Sequence, residues 1–209
     1  MSEQHTAEWH AERLGKLTAS RFADAVAKTK TGWGASRTNY AAELIVERLT
    51  GIPYPKYQNA AMQWGTDVEP QVRAAYSFEH DVDVIEVGFI PHPYIPMTGC
   101  SPDGLIGVDG LVEFKCPNSA THWETLRTGN IPKEYITQMT WQMACTGRQW
   151  CDWVSFDPRM PLELQLYVRR IEHDEKLIEI MERQAVEFLA EIDRSMDEVL
   201  IRCGQKVAA

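Results

Sequence analysis

Three residues in the middle of the chain could together hydrolyse a phosphate ester. Asp103 lies in a Pro-Asp-Gly turn, and Glu113 and Lys115 follow it in a Glu-x-Lys pattern. Carboxylate oxygens suit Mg²⁺, which keeps several of its waters when proteins bind it. A bound ion would polarise a phosphoryl oxygen and acidify a water. A lysine, whose pKa falls readily on burial, would orient or deprotonate that water. The residues therefore predict metal-assisted phosphodiester hydrolysis.

A tight hairpin is predicted around these residues. Positions 103–104 and 109–110 are both Asp-Gly, which is a strong turn signal. Two short antiparallel strands are therefore expected at 105–108 and 111–115, joined by the second turn. Such a hairpin would bring Asp103 back beside the second strand, at a sheet edge.

Side-chain alternation divides the second strand into two faces. Glu113 and Lys115 would share the polar face, whereas Val112, Phe114 and Cys116 would point into an apolar core. The backbone carbonyl of Phe114 could then complete the set of metal ligands. The alternative is a surface hairpin with solvated charges, since short patterns of this kind recur by chance.

The wider sequence resembles the lambda-phage-type (YqaJ-like) alkaline exonucleases of the PD-(D/E)xK nuclease superfamily. The similarity covers almost the whole chain from about Trp9, and several motifs follow in the family's order, which is far more specific than one motif. The matching segments are SPDGLIGVDGLVEFKCP at 101–117, WHAERLGKLTAS at 9–20, MQWGTDVEP at 62–70, EYITQMTWQM at 134–143 and FDPRM at 156–160.

The resemblance implies a single α/β domain over 1–209, restriction-endonuclease-like, with a mixed β-sheet flanked by helices. Residues 1–8 are polar and are expected to be frayed. A long C-terminal helix is expected from the apolar periodicity of 173–203. Family members assemble as ring-shaped homotrimers, which the periodicity of the sequence does not predict.

Catalytic roles carry over from the resemblance where the motifs match. Asp103, Glu113 and Lys115 match the metal and catalytic core. Glu69 matches an acid beside a second metal ion, and Gln138 matches an active-site glutamine. In the alternative, Glu69 is an ordinary exposed helix residue and Gln138 only satisfies backbone groups.

The resemblance also implies contacts with DNA. Arg13, Ser20 and Ser101 match residues that line a pocket for a 5′-phosphate, and Ser20 is predicted to begin a helix, where an anion is favoured. Met62 matches an apolar wedge that parts the terminal base pairs. The alternatives are a helix cap for Ser20, a solvated surface residue for Arg13 and a core methionine for Met62.

The residues predict Mg²⁺-dependent hydrolysis, with two ions and Mn²⁺ as a possible substitute, and the resemblance implies an exonuclease. By that resemblance it would degrade one strand of linear double-stranded DNA from its 5′ end, release mononucleotides and leave a 3′ overhang for recombination. The resemblance implies a single-strand DNA annealing protein as its partner. One alternative is a structure- or site-specific endonuclease on the same fold. Another is a decayed, DNA-binding relative, which would lack one of the catalytic residues that this chain retains.

Composition limits the remaining possibilities. The 209 residues are 44% hydrophobic, which suffices for one buried core, and the polar N-terminus and lack of a long apolar run predict a cytoplasmic protein without a membrane span. The five cysteines lack a Cys-x-x-Cys pair, which predicts reduced thiols and argues against a zinc or iron–sulfur site. Of the net charge of -9, the segment 172–200 supplies most, with ten acidic and three basic residues. A local basic channel for DNA therefore remains possible.

Hydrophobic periodicity and Gly and Pro signals predict the remaining elements. Predicted strands lie at 81–90, 149–156 and 162–171, and a mobile basic loop at 29–35. The predicted helices are one begun by Thr18 or Ser20, then 36–49, 63–78, one capped by Ser119 and ended by Gly129, one from Pro132 to about 147, and 173–203.

Overall fold

The structure is a computed structural model that describes residues 4–55 and 59–204. Helices and strands are interspersed along the chain, with five consecutive strands between the fourth and fifth helices. The helices are α1 (Ala7–Arg13), α2 (Phe22–Ala25), α3 (Ala35–Thr50), α4 (Ala60–His80), α5 (Ser119–Thr128), α6 (Lys133–Thr146) and α7 (Glu175–Arg202). The strands are β1 (Leu17–Thr18), β2 (Lys28–Thr29), β3 (Gly32–Trp33), β4 (Val84–Ile85), β5 (Ile90–Pro91), β6 (Thr98–Cys100), β7 (Gly104–Ile106), β8 (Gly110–Lys115), β9 (Trp150–Phe156) and β10 (Leu166–Glu172).

A five-stranded mixed sheet carries the Glu-x-Lys pattern on its central strand. Its order is β10-β9-β8-β7-β4, with β8 and β9 parallel and the other neighbours antiparallel. The predicted hairpin is present as β7 and β8, but its turn is formed by residues 107–109 and not by Asp109 and Gly110, because Gly110 already pairs with Ile106. The predicted position at a sheet edge is wrong, because β9 pairs along the side of β8 that the hairpin leaves open. That pairing joins segments about 40 residues apart, which no local pattern indicates.

Helices cover both faces of β8. Val112 and Phe114 pack against Val72 and Tyr76 of α4, as the alternation predicted. On the opposite face, Leu111 joins a cluster with residues of α6. The mixed sheet flanked by helices is thus confirmed, and the face that carries Glu113 and Lys115 is covered by α6.

The strand predicted at 81–90 is wrong. Only Val84–Ile85 joins the five-stranded sheet, and Ile90–Pro91 instead pairs with β6 in a three-stranded sheet of order β1-β6-β5. Val87 and Phe89, between these strands, are buried without pairing. The alternation of apolar residues over 81–90 therefore reflects the burial of side chains and not one continuous strand. The chain passes here from one sheet to the other.

The segment predicted as a mobile basic loop contains a small hairpin. β2 and β3 pair antiparallel, Lys28 with Trp33 and Thr29 with Gly32. Both Lys28 and Arg37 place their cationic groups over the Trp33 ring, at 4.7 and 3.9 Å from its centroid. These contacts give a short polar segment a defined form.

Several helix starts differ from the sequence prediction. Residues 19–21 form a single 3-10 turn before the four-residue α2, and neither Thr18 nor Ser20 caps it through its side chain. Asn118, and not Ser119, caps α5 by accepting from the amide of Thr121. Pro132 precedes the first turn of α6, and residues 162–164 form a 3-10 turn before β10.

The N-terminal segment predicted to be frayed contains the start of α1. Thr6 caps this helix by accepting from the amide of Trp9. The side chain of Gln4 donates to the carbonyls of Val87 and Pro102, each over 2.9 Å. These bonds attach the segment near the turn of Asp103, whereas residues 1–3 lie outside the described residues.

The long C-terminal helix is confirmed as α7. Its buried residues Met181, Phe188 and Ile192 pack against α2, α3 and α6 in the first core cluster. The apolar periodicity predicted for 173–203 gives buried residues as far as Ile192, whereas Val199 is exposed. No helix within the described residues is long and apolar enough to cross a membrane.

Candidate active site

Glu113 is the centre of a buried hydrogen-bond network. Its side chain is 1% exposed, although it carries a carboxylate. Oε1 accepts from Nε2 of Gln138 over 2.6 Å and from the ammonium of Lys115. Oε2 accepts from Nε2 of Gln142 over 2.6 Å. Because three donors satisfy it, the carboxylate can remain in the interior with a fixed orientation.

Lys115 lies two residues further along β8 and on the same face. Its ammonium also lies 4.9 Å from the centroid of the Tyr135 ring. Burial alone would lower the Lys115 pKa, but the charges of Glu113 and Asp103 outweigh it and hold the pKa above its ordinary value. The charges of the two acids thus oppose the fall in pKa that burial would cause. Both expected roles of Lys115, to orient or to deprotonate a water, stay predictions.

Asp103 directly precedes β7, and the hairpin places it beside β8, as predicted. Its Oδ2 accepts from the backbone amide of Phe114 over 2.7 Å. Burial raises the pKa of the Asp103 carboxyl well above its ordinary value, and the nearby charge of Glu113 raises it further. The backbone of Phe114, which follows Glu113 directly, thus donates its N–H to Asp103.

Glu69 approaches this pair from α4. Its Oε1 accepts from Nη2 of Arg73 over 2.6 Å. Burial raises the Glu69 pKa, and the charge of Arg73 opposes that shift. Within the described residues, no three acidic, histidine or cysteine side chains converge as a ready cluster for an ion. Glu69 is thus bonded to Arg73, and the charge of Glu113 acts on its carboxyl.

The donor set of Asp103 and Glu113 fits a hard divalent cation. Mg²⁺ is commonly bound through one or two carboxylates while it keeps several waters. The mutual charge repulsion that raises the Asp103 pKa is the kind of imbalance that such a cation relieves. Asp103 and Glu113 are therefore the residues that could hold such an ion.

Arg13 and Ser101 are in contact at the entrance to the turn of Asp103. Nη1 of Arg13 donates to Oγ of Ser101 over 2.9 Å, and Nε1 of Trp9 donates to the same oxygen over 3.0 Å. The guanidinium also lies 4.2 Å from the centroid of the Trp9 ring. Burial lowers the Arg13 pKa, and no ion pair between described residues includes it. Two of the residues predicted to bind a phosphate thus lie together.

Ser20 does not share the contacts of Arg13. It is exposed, and its hydroxyl lies 3.4 Å from that of Thr18. Ser20 lies in the 3-10 turn that precedes α2 and caps no helix through its side chain, and the anion site at this helix start stays a prediction. A cavity of about 550 Å³ adjoins Arg13, and Met62 also lines it. Met62 is 52% exposed, which contradicts the alternative of a core methionine.

Two residues that contact the candidate acids received no role from the sequence. Gln142 lies four residues after Gln138 on α6, and Arg73 lies four residues after Glu69 on α4. In both pairs the spacing of four residues was an available signal, because such residues are neighbours on a helix. The sequence alone did not indicate that the partner of both glutamines would be Glu113.

The Asp and the Glu-x-Lys pattern, on a mixed sheet between helices, define a nuclease of the restriction-endonuclease-like fold. A family model described as the YqaJ-like viral recombinase domain matches residues 8–149. The chain belongs to that family. Among curated proteins, none matches.

Solved structures give the same assignment. LHK-Exo in complex with dAMP is 51% identical, with a TM-score of 0.90, and the match covers 95% of this chain and 98% of the other. LHK-Exo, an alkaline exonuclease from Laribacter hongkongensis, also matches at 52% identity, with a TM-score of 0.88 and the same coverage. A phage-related exonuclease from Haemophilus somnus 129PT is 14% identical, with a TM-score of 0.68 over 88% of this chain and 96% of the other. That last similarity establishes the fold alone.

Proposed function

We propose that this protein is a Mg²⁺-dependent exonuclease that degrades one strand of linear double-stranded DNA in the 5′-to-3′ direction. It releases mononucleotides and leaves a 3′ single-stranded overhang. The observation that carries the proposal is the buried carboxylate of Glu113, bonded to Lys115 and Gln138 with Asp103 beside it. The chain is a phage-type exonuclease by its similarity to LHK-Exo, and the dAMP bound to that relative supports a mononucleotide product.

The residues of the site have separate tasks in this reaction. Asp103 and Glu113 hold Mg²⁺, or Mn²⁺ in its place, together with the carbonyl of Phe114. When bound, such an ion polarises a phosphoryl oxygen and lowers the pKa of a water. Lys115 stays protonated and donates hydrogen bonds that orient the attacking water. Gln138 keeps the Glu113 carboxylate in one orientation, so that little reorganisation is needed during the reaction.

A second ion is proposed beside Glu69. Phosphodiester cleavage with two ions stabilises both the attacking and the leaving oxygen. Glu69 is 27% exposed, and the charge of Glu113 is close enough to raise its pKa. These features support Glu69 as the acid that would hold the second ion.

We further propose that Arg13 and Ser101 bind the terminal 5′-phosphate. Arg13 is a half-buried cation that has a hydroxyl partner and no ion pair between described residues. A planar guanidinium suits two phosphate oxygens. Because Ser101 is two residues from Asp103, a phosphate held there would lie close to the scissile bond. Ser20 would act only at the rim, through its exposed hydroxyl.

This pocket would give the enzyme its direction. Each cut exposes a new 5′-phosphate, which the pocket would draw forward. Met62, exposed beside the same cavity, would part the terminal base pairs, and an inserted apolar side chain can offset the few kcal/mol that unstacking costs. The family resemblance further suggests a ring-shaped homotrimer and an annealing protein as partner. Sedimentation of the purified protein tests whether it is a trimer.

The proposal is tested with a 5′-labelled linear duplex and a covalently closed circular plasmid. With Mg²⁺, we expect labelled mononucleotide from the first time points, an intact plasmid, and no product when EDTA is present. Linearised plasmid or internal fragments would instead favour the site- or structure-specific endonuclease. Binding of the duplex without cleavage under all conditions would favour the decayed relative.

A further inference from the structure

Arg73 connects the separate segments that carry the acids of the candidate active site. Its Nη2 donates to Oε1 of Glu69 over 2.6 Å. Its Nη1 lies 3.3 Å from the carbonyl oxygen of Asp103 and 3.0 Å from Oε1 of Glu86. One guanidinium therefore links α4 to the turn of Asp103 and to the segment after β4.

The helix fixes the pairing of Arg73 with Glu69. Residues four apart lie on the same face of a helix, and the guanidinium presents its donors as a rigid planar fork. The Arg73 side chain is 17% exposed, and its guanidinium lies 6.0 Å from the centroid of the Phe114 ring. The fork therefore has little freedom to turn away.

Charge gives this contact a purpose beyond packing. Asp103, Glu113 and Glu69 are all acidic, and like charges in a partly buried site repel one another. Glu113 is buried, whereas Glu69 is only partly buried and could turn its carboxylate toward solvent. Arg73, on the same helix face, keeps the Glu69 carboxylate turned toward the other two acids. The bond from Arg73 to the Asp103 carbonyl fixes the direction in which that carboxylate is held.

We propose that Arg73 is a positioning residue, which fixes Glu69 beside the pair of Asp103 and Glu113 and thereby raises the affinity of the site for a divalent cation. This inference rests on the proposed function, in which Glu69 serves the metal. Arg73 acts through Glu69, and its longer bond to the Asp103 carbonyl contributes less.

Mn²⁺ alone is the probe, and the measurement is the loss of the free-ion electron paramagnetic resonance signal on titration with the full-length protein. Arg73→Gln should weaken Mn²⁺ binding about tenfold or more, as removal of a residue that orients a ligand does. Arg73→Lys keeps the charge without the fork and should weaken it about threefold or more. The matched control is Glu86→Gln, which removes a 64% exposed partner of the same arginine and should change affinity less than about twofold.

A double-mutant cycle separates positioning from a general structural effect. In a Glu69→Gln background, Arg73→Gln should change Mn²⁺ affinity less than about twofold, because the residue through which it acts is gone. A tenfold loss that persists in that background would overturn the inference. Unchanged binding in Arg73→Gln and Arg73→Lys would overturn it as well, while leaving the metal site intact.

Folding and the proposed function are controlled separately. Thermal melting is recorded for every variant, and if Arg73→Gln does not fold, Arg73→Lys and its combination with Glu69→Gln decide the outcome. If the wild-type protein bound no Mn²⁺, the metal-dependent function and the role of Arg73 would both be wrong. If it bound Mn²⁺ and Glu69→Gln bound equally well, only the role of Glu69 and Arg73 would fail.

Discussion

Nε2 of Gln142 donates to Oε2 of Glu113 over 2.6 Å, and both side chains are buried. Gln138, one helical turn earlier on α6, donates to the other oxygen of the same carboxylate. One helix thus supplies a donor for each oxygen. The orientation of the central carboxylate is therefore set by α6 and not only by its own strand.

Replacement of Gln142 by leucine should leave one buried oxygen of Glu113 without a donor. An unsatisfied buried polar group costs about 1–3 kcal/mol, so we expect a loss of that size in the free energy of unfolding, measured with urea, together with slower cleavage. Gln149→Leu is the matched control, because Gln149 is exposed and such changes are usually within about 0.5 kcal/mol. An unchanged urea midpoint and rate for Gln142→Leu would contradict the importance of this contact.

Lys115→Ala should abolish cleavage while DNA binding is largely retained. In its proposed role the lysine stabilises the transition state and does not bind the metal, so we expect a loss of about 3 kcal/mol or more in single-turnover cleavage. Asp103→Ala should weaken metal binding in addition. Lys133→Ala, an exposed lysine at the start of α6, is the control. A Lys115→Ala enzyme that kept more than about a tenth of the rate, a loss under about 1.4 kcal/mol, would exclude this role.

Arg13→Ala should remove the preference for a phosphorylated end. The wild-type enzyme is expected to begin digestion faster on a 5′-phosphate duplex than on a 5′-hydroxyl duplex, and the variant should begin on both at the same slow rate. Arg127→Ala, which removes an exposed arginine paired with Glu124, should keep the preference. Initial rates on the two labelled duplexes give the answer, and equal rates in the wild-type enzyme would refute the phosphate pocket.

Met62→Ala should slow digestion of a blunt duplex more than digestion of a duplex with a frayed end. The expected reason is the loss of the apolar side chain that parts the terminal pair. Because Met62 is exposed, its loss should leave the melting temperature nearly unchanged. By contrast Met139→Ala, at a fully buried site, should cost about 2–5 kcal/mol of stability. Equal slowing on both substrates would argue against the wedge.

Cys116, directly after the catalytic lysine, should resist alkylation at alkaline pH. Burial raises the pKa of its thiol to about 12, and the charges of Glu69 and Asp103 contribute. A raised pKa keeps the thiol neutral at every pH below that value, and only the thiolate is the nucleophile. At pH 9 about one thiol in a thousand would be ionised.

Peptide mass spectrometry after brief treatment with iodoacetamide checks this prediction. The exposed Cys203 is the internal control and should react first, whereas the buried Cys145 and Cys151 should stay protected. All of them should react once the protein is unfolded in urea. Alkylation of Cys116 as fast as Cys203 in the folded protein would be the contrary result.

The sequence by itself determined the features that depend on neighbouring residues. The Asp-Gly signals indicated a hairpin, although its turn lies at residues 107–109, and the alternation along 110–115 was sufficient for the shared face of Glu113 and Lys115. The apolar period of 3.6 residues was sufficient for α3, α4, α6 and α7, and the ordered motifs were sufficient for the family. In each case the signal acts within a few residues or is repeated along the chain.

Only the tertiary structure decided the position of these elements and the partners of the site. β8 became the central strand because β9 pairs with it, and 81–90 was divided because its two ends pair with different sheets. Glu113 accepts from residues 25 and 29 positions away. Contacts of this kind depend on how whole elements pack. A local pattern indicates the burial or the helical phase of a side chain, but not the identity of its distant neighbour. The sequence could therefore predict the acids of the site, but not the residues that donate hydrogen bonds to them.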